Sequence, residues 1–313
     1  MSVLHTSSFG LDSATDPEVQ TSALQKAVDH LQDDDTLIID AGAGSYTVNN
    51  TITLKGKRRV SVMAERGALI KQSKYRTTLF ICCRDDNSGI DCEDLVFDGL
   101  SLEGFRNDYI PKDNKTTPPG TTPAIGIWLR NCTRVILRNL TLRDFSFEAI
   151  WLDDSTRDVT ITDCTIVGTG SPPIPSGWNN QLDQYGICSE DRIHGGELRI
   201  SGCNISHTAT GIFLSGGKAR GSWKSVCLEG NYIHDIDGQS GVYIDYVKNL
   251  IFANNRIRNC PWGAGLKCQI VTGTQDWVDN YAITGNIIEN TIEGILLLDA
   301  DPLPGNPPPG PLL

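Results

Sequence analysis

The sequence has no apolar run approaching the ~20 residues that cross a bilayer, so no membrane-spanning helix is expected. It has no run of five or more Lys or Arg and carries a net charge of −11, which argues against wrapping DNA or another polyanion. The opening residues, Met1-Ser-Val-Leu-His-Thr-Ser-Ser, lack a basic segment followed by an apolar one, so no secretion signal is visible. The expectation is an intracellular (cytoplasmic) protein or a chain that begins after a removed signal. None of the ten cysteines has the paired spacing of a zinc-thiolate site. There is no phosphate-cradling loop, no Ser-His-Asp arrangement and no nucleophile elbow. These absences exclude several function classes and leave a turn-rich chain with 31 Gly and 15 Pro, the composition of an all-β protein.

What is present is a repeat. Gly241-Val-Tyr-Ile-Asp245 recurs as Gly126-Ile-Trp-Leu-Arg130, Ala149-Ile-Trp-Leu-Asp153, Gly186-Ile-Cys-Ser-Glu190, Gly211-Ile-Phe-Leu-Ser215, Gly265-Leu-Lys-Cys-Gln269 and Gly294-Ile-Leu-Leu-Leu298. A second apolar segment follows each copy, then a third of the form apolar-x-x-(Cys/Asn/Leu)-x-Ile/Leu, as in Ile161 to Ile166 and Leu228 to Ile233. Short alternating strands repeated at this scale without intervening helices predict a stacked β-solenoid, which grows by adding rungs and stays one unit.

Upstream of the repeats, residues 16–32 are expected to form one helix, with Asp16 at the N-cap, Pro17 at the first helical position and Leu24, Ala27, Val28 and Leu31 on its apolar face. A lone amphipathic helix here would cap the open end of the solenoid. Short strands are expected at Thr36–Ile39, Tyr46–Val48, Thr51–Leu54, Val60–Met63 and Leu69–Gln72. With Phe9-Gly10, the helix Leu24-Gln-Lys-Ala-Val28, Gly44-Ser-Tyr46, Ile52-Thr-Leu54 and the later repeats, the sequence resembles the right-handed parallel β-helix family of pectin-lyase-like proteins over nearly its whole length. The resemblance implies a single-stranded right-handed parallel β-helix; that family holds hydrolases, lyases, epimerases and phage tailspikes. One departure is that Leu11-Asp-Ser-Ala-Thr-Asp16 stands where the family carries a Gly-Asp-Gly-x-Thr-Asp-Asp run. The expected organisation is an N-terminal segment with its helix (1–35), the β-helix (36–300) and a Pro-rich tail (301–313).

Side chains alternate along a strand, so the aligned repeats sort into columns. Ile127, Ile150, Ile187, Ile212, Val242 and Leu266, with their partners two residues on, are expected to point inward. One outward column is Trp128, Trp151, Cys188, Phe213, Tyr243, Lys267, Leu296; the other is Arg130, Asp153, Glu190, Ser215, Asp245, Gln269, Leu298. The first is an aromatic lane whose faces are expected to stack on sugar rings, with Trp178, Trp223, Trp262 and Trp277 in turns beside it. The second supplies chemistry. Asp153 and Glu190 fall on successive rungs, where mutual repulsion is expected to raise one pKa and make it a usable acid. Carboxylates one rung apart, at ~5 Å, match retaining glycosidases, and the Glu190–Asp245 separation of ~10 Å lies near the upper end of the inverting range. Lys267 and Arg130 would bind an anionic group or serve a lyase, and His194 borders Glu190. His207 and His234 fall away from this face.

Cys164 and Cys203 share an inward position with Asn231, Asn255 and Asn286 and are expected to be packing thiols. Cys82, Cys83 and Cys92 lie close enough in sequence for a local bridge. No cofactor is expected; Asp235-x-Asp237 offers calcium two carboxylates, short of a full ligand set. Two insertions, 105–123 and 171–183, leave between a third strand and the next first strand, where function concentrates. The function expected first is a carbohydrate-active enzyme that hydrolyses or transfers a glycosidic bond through Asp153, Glu190 and Asp245. A polysaccharide lyase or epimerase acting on uronates comes next, then a small-molecule enzyme reusing the groove as an apolar pocket. The non-enzymatic alternative is a glycan-binding or tailspike-like module. The expected partner is an oligo- or polysaccharide or another small molecule, with no nucleic acid and no membrane.

Overall fold

The computed structural model describes residues 1–73, 78–104, 125–145, 147–168, 185–189, 195–214, 223–236, 238, 240–245, 247, 249–270 and 280–299, with backbone alone at Asp245, 261–270 and 292–299. The strands form a three-faced solenoid, and every pairing between them is parallel. The first face stacks Ile52–Lys55, Phe80–Cys83, Ile127–Arg130, Ile150–Asp153, Tyr185–Ser189, Thr210–Leu214 and Val242–Asp245. The second is a ten-stranded sheet running from Val3–His5 and Thr36–Ile39 to Asn280–Thr284, and the third begins with Tyr46–Val48 and Leu69–Gln72. One long strand, Arg256–Ile270, pairs with Tyr232–His234 of the third face and then with Val242–Asp245 of the first, so it rounds the corner that separate strands were expected to make.

The register bears out the columns. Ile127 pairs with Ile150, Ile150 with Ile187, Ile187 with Ile212 and Ile212 with Val242, all buried. The glycine that opens three of the repeats has a steric cause: a Cβ on Gly126, Gly186 or Gly211 would come within 2.5 Å, 2.6 Å or 2.5 Å of the carbonyl oxygen one rung on. The apolar-x-x-(Cys/Asn)-x-Ile motif proves to be a corner rather than a strand. Arg157–Thr162 ends on the second face, Asp163 turns with φ 53°, and Thr165–Val167 resumes on the third. Equivalent residues are Asn139, Gly202, Gly230, Asn254 and Gly285, all left-handed, a conformation open to Gly and tolerated by Asn and Asp. The next residue points inward. There Asn231 Nδ2 donates to Asn255 Oδ1 (2.9 Å) and Asn255 Nδ2 to Asn286 Oδ1 (3.0 Å), and the column continues as buried Cys203 and Cys164.

The helix forms at Pro17–His30, with Ala23, Leu24, Ala27 and Val28 buried and Pro17 at its start; Asp16 makes no side-chain capping bond. It closes the N-terminal end by hydrogen bonding to edge strands. Gln25 accepts from Thr53 N–H (2.8 Å) and donates to Thr53 C=O (3.0 Å), while Gln20 accepts from Thr47 N–H (2.6 Å). Val3–His5 covers the second face at the same end.

Candidate active site on the first face

The outward residues of the first face stack as aligned. Trp128 pairs with Trp151 and Arg130 with Asp153; Trp151, Cys188, Phe213, Tyr243 and Lys267 follow in register, and Asp245 pairs with Gln269. For Asp245, Lys267 and Gln269 the placement is one of backbone register. Glu190, His194, Ser215, Trp178 and Trp277 lie outside the described residues.

The aromatic lane differs from expectation in what it offers a ligand. The Trp128 and Trp151 rings are parallel at 4.7 Å, Tyr185 lies on Phe213 at 4.3 Å, and Phe213 on Tyr243 at 4.8 Å. Phe213 is sandwiched on both faces, and rings this close leave no room for a sugar between them. The Arg130 guanidinium sits over Trp128, 5.0 Å from the ring centre. The lane therefore presents edges to a ligand, not the open faces expected from alternation. Tyr185 was not among the candidates. It stands three residues before Cys188, and its ring takes the level on Phe213 that Cys188, wholly buried, leaves open.

Trp223 is corrected outright. It is a core residue, 2% exposed, and its indole N–H donates to Ser189 Oγ at 2.9 Å. Ser189 occupies the inward column held by Leu152 and Leu214 on the neighbouring rungs. A hydroxyl there is smaller than a leucine and needs a partner, and Trp223 meets both requirements. Trp262 falls within the strand Arg256–Ile270 rather than a turn.

Around Asp153 the polar column becomes a defined constellation. Trp128 Nε1 donates to Asp153 Oδ2 (3.2 Å) and the Asp154 amide N–H to Asp153 Oδ1 (2.7 Å). Arg130 reaches Asp154 Oδ2 through Nη2 (2.8 Å) and Nε (3.0 Å), with Nε 3.6 Å from Asp153 Oδ2. The Asp153 side chain is only 14% exposed. Burial raises its pKa above the usual carboxylate value, and the negative charge of Asp154 adds to the rise. The Asp154 N–H, the Trp128 indole and the Arg130 cation hold it back. The direction matches the expected acid, but the described cause is burial and the adjacent Asp154, not a carboxylate one rung away. The sequence offered a signal for Asp154, the Asp153-Asp154 doublet. It offered none for Glu148, a carboxyl 1% exposed two residues before the strand Ile150–Asp153, because the residues before that strand have no repeat register.

Elsewhere, His234 belongs to the third face, where its ring stacks on Tyr232 at 4.2 Å and Nδ1 lies 2.7 Å from Asp235. Asp235 also accepts from Asn259 (2.6 Å), its pKa lowered chiefly by that bond. Asp237 is outside the described residues, and among those described no group of three or more His, Cys, Asp or Glu is placed to hold a metal ion. Cys82, Cys83 and Cys92 are free thiols, Cys82 and Cys92 buried.

Residues 31–219 and 178–306 match the family described as "Right handed beta helix region". The chain belongs to the right-handed β-helix family. No curated protein matches the sequence. Among solved structures it resembles the Streptococcus pneumoniae surface protein and adhesin PfbA (13% identity, 95% of this chain and 88% of that one, TM-score 0.63). It also resembles the Yersinia enterocolitica Family 28 exopolygalacturonase (13% identity, 95% and 69%, TM-score 0.58) and the PL6 family alginate lyase AlyGC (17% identity, 97% and 38%, TM-score 0.58). At these identities the likeness is one of fold.

Proposed function

We propose that the first-face groove binds an oligo- or polysaccharide and cleaves or transfers a glycosidic bond, with Asp153 as the proton donor to the leaving oxygen. The observation that carries this reading is the state of Asp153: a carboxyl mostly removed from water, its pKa raised, and aimed by two N–H donors. A carboxyl whose pKa is raised holds its proton to higher pH than an exposed one, and the two N–H donors fix its direction, as a general acid needs. Arg130 and Asp154 neutralise one another beside it, so the acid is not flooded by either charge. Glu190, one rung on in the sequence register, is the second carboxylate. At the ~5 Å rung spacing it attacks the anomeric carbon, giving retention of configuration. Asp245, Lys267 and Gln269, on the C-terminal rungs of the same backbone register, are the residues to bind substrate hydroxyls or an anionic substituent. The exopolygalacturonase and alginate lyase names make a glycan the ligand class to test first, whereas the adhesin shows that a likeness of fold fixes no reaction.

The test is incubation with a panel of glycans, reading new reducing ends together with the ultraviolet absorbance of an unsaturated uronate. Reducing ends alone are expected, and Asp153→Asn should abolish them. Both signals together would establish a lyase instead, and saturable binding without either would make the groove a binding module.

A further inference from the structure

The two longest insertions in the sequence are each flanked by a pair of cysteines on neighbouring rungs. The 105–123 insertion lies between Cys92 and Cys132, and the 171–183 insertion between Cys164 and Cys203. Cys132 is paired in register with Cys92 across adjacent strands of the second face, and both are buried. Cys164 and Cys203 hold the same corner position on successive rungs, each 1% exposed, and the Asn204 N–H bond to the Cys164 carbonyl (2.8 Å) fixes that adjacency. Each thiol donates to a backbone carbonyl of its own corner, as Cys92 Sγ does to Cys83 C=O (3.2 Å) and Cys164 Sγ to Thr162 C=O (3.3 Å), so among the described residues no side chain competes for either pair. Adjacent parallel strands put paired Cα atoms ~4.8 Å apart, inside the ~4.4–6.8 Å that a disulfide spans. The nearest rival thiol, Cys82, is in register with Leu54 and Leu129, not with a cysteine.

We infer that Cys92–Cys132 and Cys164–Cys203 are two disulfide-forming sites, each stapling the two rungs that flank a long insertion in the sequence. The structure describes the reduced form, with all four thiols free. The oxidant is a small-molecule disulfide such as oxidised glutathione. One cysteine thiolate attacks it and releases a glutathione thiol, and the second cysteine then displaces the other. Two electrons and two protons leave the pair, and one oxidised glutathione becomes two reduced molecules. Because both pairs are sealed from solvent, the exchange proceeds only when neighbouring rungs part. Each bridge closes a loop of about 40 residues, which restricts the unfolded chain most where the insertion has lengthened it.

The test incubates the folded full-length protein with oxidised glutathione at urea concentrations below its unfolding transition. Remaining thiols are then blocked with N-ethylmaleimide in denaturant, and the peptides are mapped by mass. Cys83 and Cys227, which are partly exposed, should take up glutathione adducts first and report that the reagent is active. The expected result is two bridges, Cys92–Cys132 and Cys164–Cys203, forming faster as urea rises, with a higher unfolding midpoint than the reduced protein. Adducts at Cys83 and Cys227 with all four paired cysteines still alkylated would overturn the inference. So would a bridge that includes Cys82, or stable glutathione adducts on the four without bridging.

Discussion

The first and second faces are built from the same alternation, yet one outward carboxylate on each, Asp153 and Asp94, is shifted in opposite directions. On the second face Arg134 pairs with Asp94 (2.6 Å) and with Glu93, Arg138 with Asp98 (2.9 Å) and Arg199 with Glu229 (2.9 Å), mostly in the open. There the pKa of Asp94 is lowered, chiefly by its bond to Arg134. On the first face Asp153 also has an arginine nearby, yet burial outweighs the cation and the pKa rises. An ion pair thus sets the protonation of a side chain that water still reaches. Once stacked aromatics exclude water, desolvation decides instead.

The largest expected contrast places one substitution at an inward position of the first face and at an outward position of the second. Ile244 is 1% exposed in the inward column and Ile251 is 47% exposed on the second face. Ile244→Asp buries an unpaired charge and should abolish soluble expression, whereas Ile251→Asp should change stability by no more than about 0.5 kcal/mol in denaturant titration. A soluble, cooperatively folding Ile244→Asp protein would show the register to be wrong.

Next come the carboxylates. Asp153→Asn should cut turnover by at least ~100-fold, the usual share of general acid catalysis, while Asp94→Asn leaves turnover unchanged. Equal losses from both would remove any special role for the groove.

The same two variants should separate in their pH dependence, with a smaller effect. A folded-state pKa above the unfolded value means that the native protein binds more protons, so Asp153 costs stability as pH rises through that window. Asp153→Asn should therefore raise the melting temperature at neutral pH, and the gain should fade as pH drops below the unfolded carboxylate range. Asp94, with its pKa lowered, contributes stability above its unfolded pKa and loses it as pH falls through the folded value. Asp94→Asn should lower the melting temperature slightly at neutral pH and converge with wild type in acid. Thermal melts across pH check both signs.

The smallest expected effect belongs to the exposed pairs. Arg199→Gln should cost under about 1 kcal/mol, and less at high salt, because Arg199 and Glu229 are both well solvated.

The sequence carried the fold almost entirely, because a period of two repeated over many rungs fixes which side chains point inward. It placed the strands Thr36–Ile39, Tyr46–Val48 and Leu69–Gln72 at their observed bounds, and the Cys164, Cys203, Asn231 column as buried. It was weaker wherever the period stops. Trp223 sits before its strand, where alternation gives no direction, and the clue lay in Ser189, a lone hydroxyl among leucines. Tyr185 precedes its repeat by one residue and so had no column. The stacking of the aromatic lane is a matter of ring orientation, which alternation does not specify.

The glutamines of the helix have a consequence beyond capping. A primary amide offers the same donor and acceptor as a peptide group, so Gln25, bonded both ways to Thr53, stands in for a residue of a rung that is not there. The imitation is one-sided: a side-chain amide answers the strand beneath it but presents no backbone row for a further strand to join. The N-terminal end thus reads as finished from within and illegible from outside, which makes the helix a terminator of polymerisation as much as a lid. Replacing Gln20 and Gln25 by leucine would keep the lid's apolar contacts while reopening a template for another chain.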